Sequence, residues 1–148
     1  MMTLQEISDR LELEKLTHDY SHAIDTRDFD LLNDVFTPDA FVDYSAFGAP
    51  AGDFPYVRDW LKTGMNAFGG SHHMVANHRF VIEGDRATGR VMCFNPMESL
   101  DESGTRPVMV FGLFYIDEYV RTPAGWRIKS RVEEATYTQN VPKGALPD

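Results

Sequence analysis

The chain has 148 residues and a net charge of −9 at pH 7, with 14 Lys and Arg against 23 Asp and Glu; no basic cluster of the kind that neutralises phosphates occurs, which excludes nucleic acid as a partner. Its 43% hydrophobic and 12% aromatic content excludes a disordered chain, no apolar run approaches the ~18 residues of a membrane-spanning helix, and the length suits one domain, 1–148, burying roughly 70% of its unfolded surface. The lone Cys93 excludes an internal disulfide and a cysteine-based zinc site, and Met1 to Glu6 lack the basic start and apolar stretch of a signal peptide, so a cytoplasmic location is expected.

Residues 4–24 carry Leu4, Ile7, Leu11, Leu13, Leu16, Tyr20, Ala23 and Ile24 mostly three or four apart, which predicts an amphipathic helix. Thr3 with Glu6 three residues later reads as a capping box that starts it. After Asp25-Thr-Arg-Asp28, a second, shorter helix is predicted through Phe29, Leu32, Val35 and Phe36, with Pro38 stopping it or following its end. Residues 40–44 predict a short strand and 47–55 a loop. Helical spacing returns from Tyr56 to Phe68 and ends at Gly69-Gly70, where glycine suits a left-handed helix terminus. From Ser71 the pattern becomes strands and tight turns: 72–83 and 86–97 around Gly84-Asp85 form a hairpin, and 108–121 and 126–137 flank Thr122 to Gly125. Helices followed by an antiparallel meander predict an α+β domain with helices on one face of a sheet.

Four residues carry candidate chemistry: Tyr20, Asp25 and the doublet His72-His73. Strict alternation would put His73, Val75, Asn77, Arg79 and Val81 on one strand face. It would put His72, Met74, Ala76, His78, Phe80 and Ile82 on the other, which is more apolar and is expected to face the helices. A buried Asp25 beside an imidazole would hold the ring in one tautomer and make His73 a base near neutral pH. The plainer alternatives are Asp25 as the cap of the next helix, His73 as a surface residue and Tyr20 as a core aromatic. His18 and His22 stand one helical turn apart but lack a third ligand, so no metal is expected, and neither glycine pair has the setting of a phosphate loop.

The spacings Tyr20-x4-Asp25-x2-Asp28-x3-Leu32-x3-Phe36-x2-Asp39-Ala40, then His72-His73-x3-Asn77, Gly84-Asp85-x-Ala87 and Gly125-Trp126-Arg127-Ile128 span nearly the whole chain. In them the chain resembles the SnoaL-like branch of the nuclear transport factor 2-like superfamily, and within it the scytalone dehydratase-like group, which also holds bile acid dehydratases and a hexachlorocyclohexane dehydrochlorinase. The resemblance implies a cone, a strongly curved antiparallel sheet with three N-terminal-half helices closing a pocket. It places Asp25 and His73 in the positions of an Asp-His dyad that removes a proton from carbon as a leaving group departs. Tyr20 falls where the dehydratases have a tyrosine that polarises a carbonyl or assists hydroxide loss. The dehydrochlorinase has lysine there, so this chain leans toward dehydration. Scytalone dehydratase itself uses a second histidine further along the sheet, where 90–97 offers Asn95 and no histidine.

The expected function is therefore a cofactor-independent, dehydratase-like lyase that removes a proton next to a carbonyl of a hydrophobic cyclic, polyketide-like or steroid-like substrate. A ketosteroid isomerase-like or polyketide cyclase-like enzyme and a non-catalytic small-ligand-binding domain stand as alternatives. Phe36, Tyr44, Met65, Phe68, Met92, Phe94 and Phe114 are candidate pocket residues, joined by Arg127 or Lys129 if either points inward, and pocket shape would depend on 47–55 and on the tail from Asn140. A homo-oligomer is expected, because the convex face of such a sheet is apolar.

Overall fold

A capping box opens helix α1 (Leu4–Asp25), with the Glu6 amide donating to Thr3 Oγ1 at 3.2 Å and the Thr3 amide to Glu6 Oε2 at 2.6 Å. The structure, a computed structural model, describes residues 1–100 and 102–142, so the end of the tail expected to shape the pocket lies outside the described residues. The buried stripe of α1 is narrower than the apolar spacing predicts. Leu13, Leu16, Tyr20, Ala23 and Ile24 are buried, whereas Leu4, Ile7 and Leu11 are exposed on the outer side.

The second predicted helix is a 3₁₀ segment from Phe29 to Asp34. Phe36 is not helical but opens strand β1 (Phe36–Asp43), which runs through Pro38 instead of being stopped by it. β1 sits between β2 (Ala51–Asp53), inside the predicted loop, and the last strand. Helix α2 (Phe54–Gly64) is capped by Asp53, whose Oδ1 accepts from the Tyr56 amide at 2.9 Å. A 3₁₀ turn, Met65–Ala67, follows it. Gly69 and Gly70 then lie in strand β3 (Phe68–Ser71), without the left-handed backbone of a helix terminus.

Strands β4 (Met74–Glu83), β5 (Arg86–Ser99), β6 (Val108–Thr122) and β7 (Gly125–Gln139) match the predicted meander. Gly125, at φ 105°, makes the last turn in a conformation only glycine adopts freely. The seven-stranded sheet runs β2-β1-β7-β6-β5-β3, with β4 also on β5. It is antiparallel except for β1 and β7, which pair in parallel, with β2 to β6 and α2 lying between them in the chain. The fold is α+β, an open, curved sheet with helices packed on its concave side.

Two buried ionic anchors tie the layers together. Asp9 of α1 accepts both Arg121 Nη1 and Nη2 at 2.8 and 2.9 Å and Trp126 Nε1 at 3.0 Å, fastening the helix to the β6–β7 hairpin. Asp117 and Arg131, both fully buried, form a bidentate pair at 2.8 and 2.7 Å. The Arg131 guanidinium lies over the rings of Tyr20 and Tyr115, 4.2 and 3.9 Å from their centroids. Stacking on two π faces and pairing with a carboxylate compensate a cation that burial alone would make costly.

β4 departs from strict alternation. Its register against β5 slips between Ala76 and Arg79, where Asn77 takes a left-handed φ of 50°. His73 and Val75 before the slip, and His78, Phe80 and Ile82 after it, are the partly or fully buried residues of this segment. His72, expected on the helix-facing side, is instead exposed.

Candidate active site

Asp25 is the last residue of α1 and His73 lies in the two-residue break between β3 and β4, so both side chains project from the ends of regular elements. They meet. Asp25 Oδ1 is 2.6 Å from His73 Nδ1, and Oδ2 accepts the His73 backbone amide at 2.8 Å. Ser71 Oγ donates to Oδ1 at 2.9 Å. The carboxylate is thus used by Ser71 and His73 and not as a cap: the following 3₁₀ segment, Phe29–Asp34, has Asp28 at its N-cap position and no side-chain cap bond. Burial pushes the Asp25 carboxyl up, but hydrogen bonds and charge from His73, with the bond from Ser71, outweigh it and hold the carboxyl below its ordinary value. An ionised Asp25 accepts the Nδ1 proton, which leaves Nε2 as the free ring nitrogen.

Arg27 braces this junction. It adopts a left-handed φ of 61°, unfavourable for a residue with a Cβ, and its guanidinium bonds Ile24 O at 2.7 Å, Gly69 O at 2.6 Å and Ser71 Oγ at 3.0 Å. Its positive charge therefore points the serine that points the aspartate.

His73 lines a cavity of about 250 Å³ between α1, α2 and the sheet. Tyr20, Tyr44, Met65 and Phe68 line it too. The Tyr20 and Tyr44 hydroxyls are 2.6 Å apart, and the Tyr20 ring stands edge-on to His73 at 6.2 Å between centroids. Burial pushes both phenols above their ordinary value, so both keep their protons, and one hydroxyl donates to the other.

Other candidates stand elsewhere. Phe36 is core, stacked on Phe54 at 4.9 Å. Met92, Phe94 and Phe114 alternate with the buried Val91, Cys93, Leu113 and Tyr115, which turns them to the convex face, where Arg90 covers the Phe114 ring at 3.9 Å. Arg127 is spent on the carbonyls of Ala124 and Trp126, and Lys129 pairs with Asp39 at 3.0 Å. His18 and His22 are both exposed, and among the described residues no group of three His, Cys, Asp or Glu could hold a metal ion.

Three residues at or behind the cavity had no distinct signal. Asn95 lines it and donates to His72 O at 3.1 Å. Ser71 looks like part of a glycine-rich turn. Glu133 lines the cavity because β7 slips register between Ile128 and Ser130, which turns Arg131 and Glu133 inward; simple alternation from Trp126 would turn them out.

An α+β cone with an Asp-His contact opening into an apolar cavity defines a class of small pocket proteins built on one curved sheet. The chain belongs to the SnoaL-like domain family, whose model matches residues 5–132. It is 48% identical over 134 residues to Rv2910c, an uncharacterized protein of Mycobacterium tuberculosis, covering 90% of this chain and 89% of that one. Kfla4162 from Kribbella flavida has a similar structure, with TM-score 0.84 and 28% identity over 91% of this chain and 95% of its own. A protein of Novosphingobium aromaticivorans DSM 12444, named as a candidate scytalone dehydratase, shares the fold at TM-score 0.83 and 21% identity, covering 95% and 93% of the two chains.

Proposed function

We propose that this chain is a cofactor-independent lyase that eliminates water from a β-hydroxy carbonyl compound, His73 Nε2 being the base. The observation that carries the reading is the double contact of His73 with Asp25, which commits Nδ1 to the carboxylate and leaves Nε2 unpaired at an apolar cavity. A ligand carbonyl held by the Tyr20–Tyr44 hydroxyls would acidify its α-hydrogen. Nε2 then takes that proton, and the resulting imidazolium is stabilised by Asp25. The fold-level likeness to the candidate scytalone dehydratase supports elimination over other chemistry. A cavity of about 250 Å³ falls just below the ~300–1,000 Å³ of drug-sized ligand sites, which favours a compact cyclic or polyketide-like ring over a full steroid. In the same reading the chain acts as one unit, in the cytoplasm, as a homo-oligomer.

The test is a panel of cyclic β-hydroxy ketones followed by the ultraviolet absorbance of the conjugated enone and by mass loss of water. Enone formation abolished by His73→Ala supports the lyase. Isomerised or cyclised product of unchanged mass would replace it with an isomerase or cyclase, and tight binding without turnover would leave a ligand-binding domain.

A further inference from the structure

Among the described residues Glu133 is the one acidic side chain lining the cavity, and none of them holds it by a hydrogen bond or ion pair. The other buried carboxylates among the described residues have donors: Asp25 has His73 and Ser71, Asp9 has Arg121 and Trp126, and Asp117 has Arg131 and Tyr119, although Arg131 keeps its Nη1 without a partner. Arg131, two residues away on the same strand and face, is committed to Asp117 and to two aromatic faces. A carboxylate without donors in such a place is costly, whereas a carboxylic acid is a neutral donor that needs only an acceptor.

We propose that Glu133 is a neutral carboxylic acid in the resting protein and the general acid of the cavity, placed to donate its proton to the hydroxyl that leaves the substrate. The titratable groups facing it are Arg131 on β7, Asp43 and Tyr44 at the end of β1, Tyr20 on α1, Tyr115 and Cys93 on β6 and β5, and, across the cavity, His73 between β3 and β4. Burial pushes its carboxyl up to about 8, the Arg131 charge offsetting this only in part and Asp43 adding to it. This inference rests on the elimination reading and divides its labour. His73 Nε2 takes the α-proton, the C–H electron pair becomes the new C=C bond, and the C–O pair leaves on oxygen. That oxygen accepts the Glu133 proton and departs as water. Imidazolium and carboxylate remain, and transfer of one proton from His73 to Glu133 restores both. The substrate is thereby narrowed to one with a neutral hydroxyl; an ammonium-bearing ligand would need an ionised Glu133.

The experiment needs no substrate. Infrared spectra of the protein with 13C-labelled glutamate carboxyls, recorded from about pH 5 to about pH 10, should show a protonated-acid carbonyl band that persists at neutral pH, disappears around pH 8 and is missing in Glu133→Gln. In parallel, calorimetric binding of 1-tetralone, a neutral bicyclic ketone, should weaken about fivefold across the same rise in wild type and stay level in Glu133→Gln, whose amide cannot ionise. No acid band at pH 7 in wild type, or the same binding profile in both proteins, overturns the proposal. If Glu133→Gln does not fold, the wild-type band alone decides. Failure here leaves the Asp25–His73 base untouched, while a dyad that proves inactive leaves the Glu133 titration standing.

Discussion

Asp25 receives both the backbone N–H and the ring Nδ1 of His73, at 2.8 and 2.6 Å, so one carboxylate fixes the position of the residue and the tautomer of its ring together. Asp25→Asn preserves the shape but offers an amide where a carboxylate stood. Turnover of whichever ketone the panel identifies should fall about 10²–10⁴-fold, with the circular dichroism spectrum unchanged. Activity within threefold or so of wild type would remove the dyad from the mechanism.

The Tyr20–Tyr44 hydroxyl contact is buried, at 2.6 Å. Tyr20→Phe should cost about 1–3 kcal/mol in urea denaturation at unchanged m-value, because Tyr44 keeps a hydroxyl without its bond. The double variant with Tyr44→Phe should cost less than the two singles added. Strict additivity would show that the hydroxyls do not interact.

Hydrogen bonds from Arg121 outweigh burial and, with Trp126 and Gln5, hold the Asp9 carboxyl at about 2 against an ordinary 3.8. A carboxyl depressed in the folded state contributes stability that is complete above its unfolded value and is lost as pH falls through the folded one. Thermal unfolding of wild type should therefore drop between pH 4 and 2. Asp9→Asn should be less stable by about 2 kcal/mol at neutral pH and flatter over that acid window. Parallel curves would assign the acid sensitivity elsewhere.

On the convex face, Met74, Val81, Ile116 and Tyr137 are exposed beside the half-buried Met92, Phe94 and Phe114, an apolar surface crossing four strands. A surface of that extent fits a second copy of the chain. Light scattering after size exclusion should report an oligomer, and Met74→Glu with Ile116→Glu should convert it to monomer. A monomeric wild type would leave this face without its expected occupant.

Much of the fold is legible in the sequence because local chemistry and global packing agree there. The capping box, the β-turn glycines and the long alternating strands each specify their element without help. Legibility fails where tertiary pairing decides. Phe36 has helical spacing, yet its strand forms because β7 offers a parallel edge, Phe36 facing Ile128. Gly69-Gly70 has the composition of a terminus and becomes strand against β5. For the site, Tyr20, Asp25 and His73 stand out by residue type and spacing, whereas nothing local separates Tyr44, Met65 and Phe68, which line the cavity, from plain core residues. Met92, Phe94 and Phe114 were indistinguishable from pocket residues because both faces of β5 and β6 are apolar, one toward the interior and one outward.

Asn77 in β4 and Lys129 in β7 each work as a change of parity in their strand. Odd-numbered residues face inward on one side of each step and even-numbered ones on the other, so these two positions decide which ionisable groups share the interior: His73 together with His78 in one case, Arg131 and Glu133 in the other. The hydrogen-bonded ladders would close equally well without them. The evolutionary fragility of this cavity thus lies less in substitution than in length: losing one residue from either strand would keep a paired sheet while turning its chemistry out to solvent.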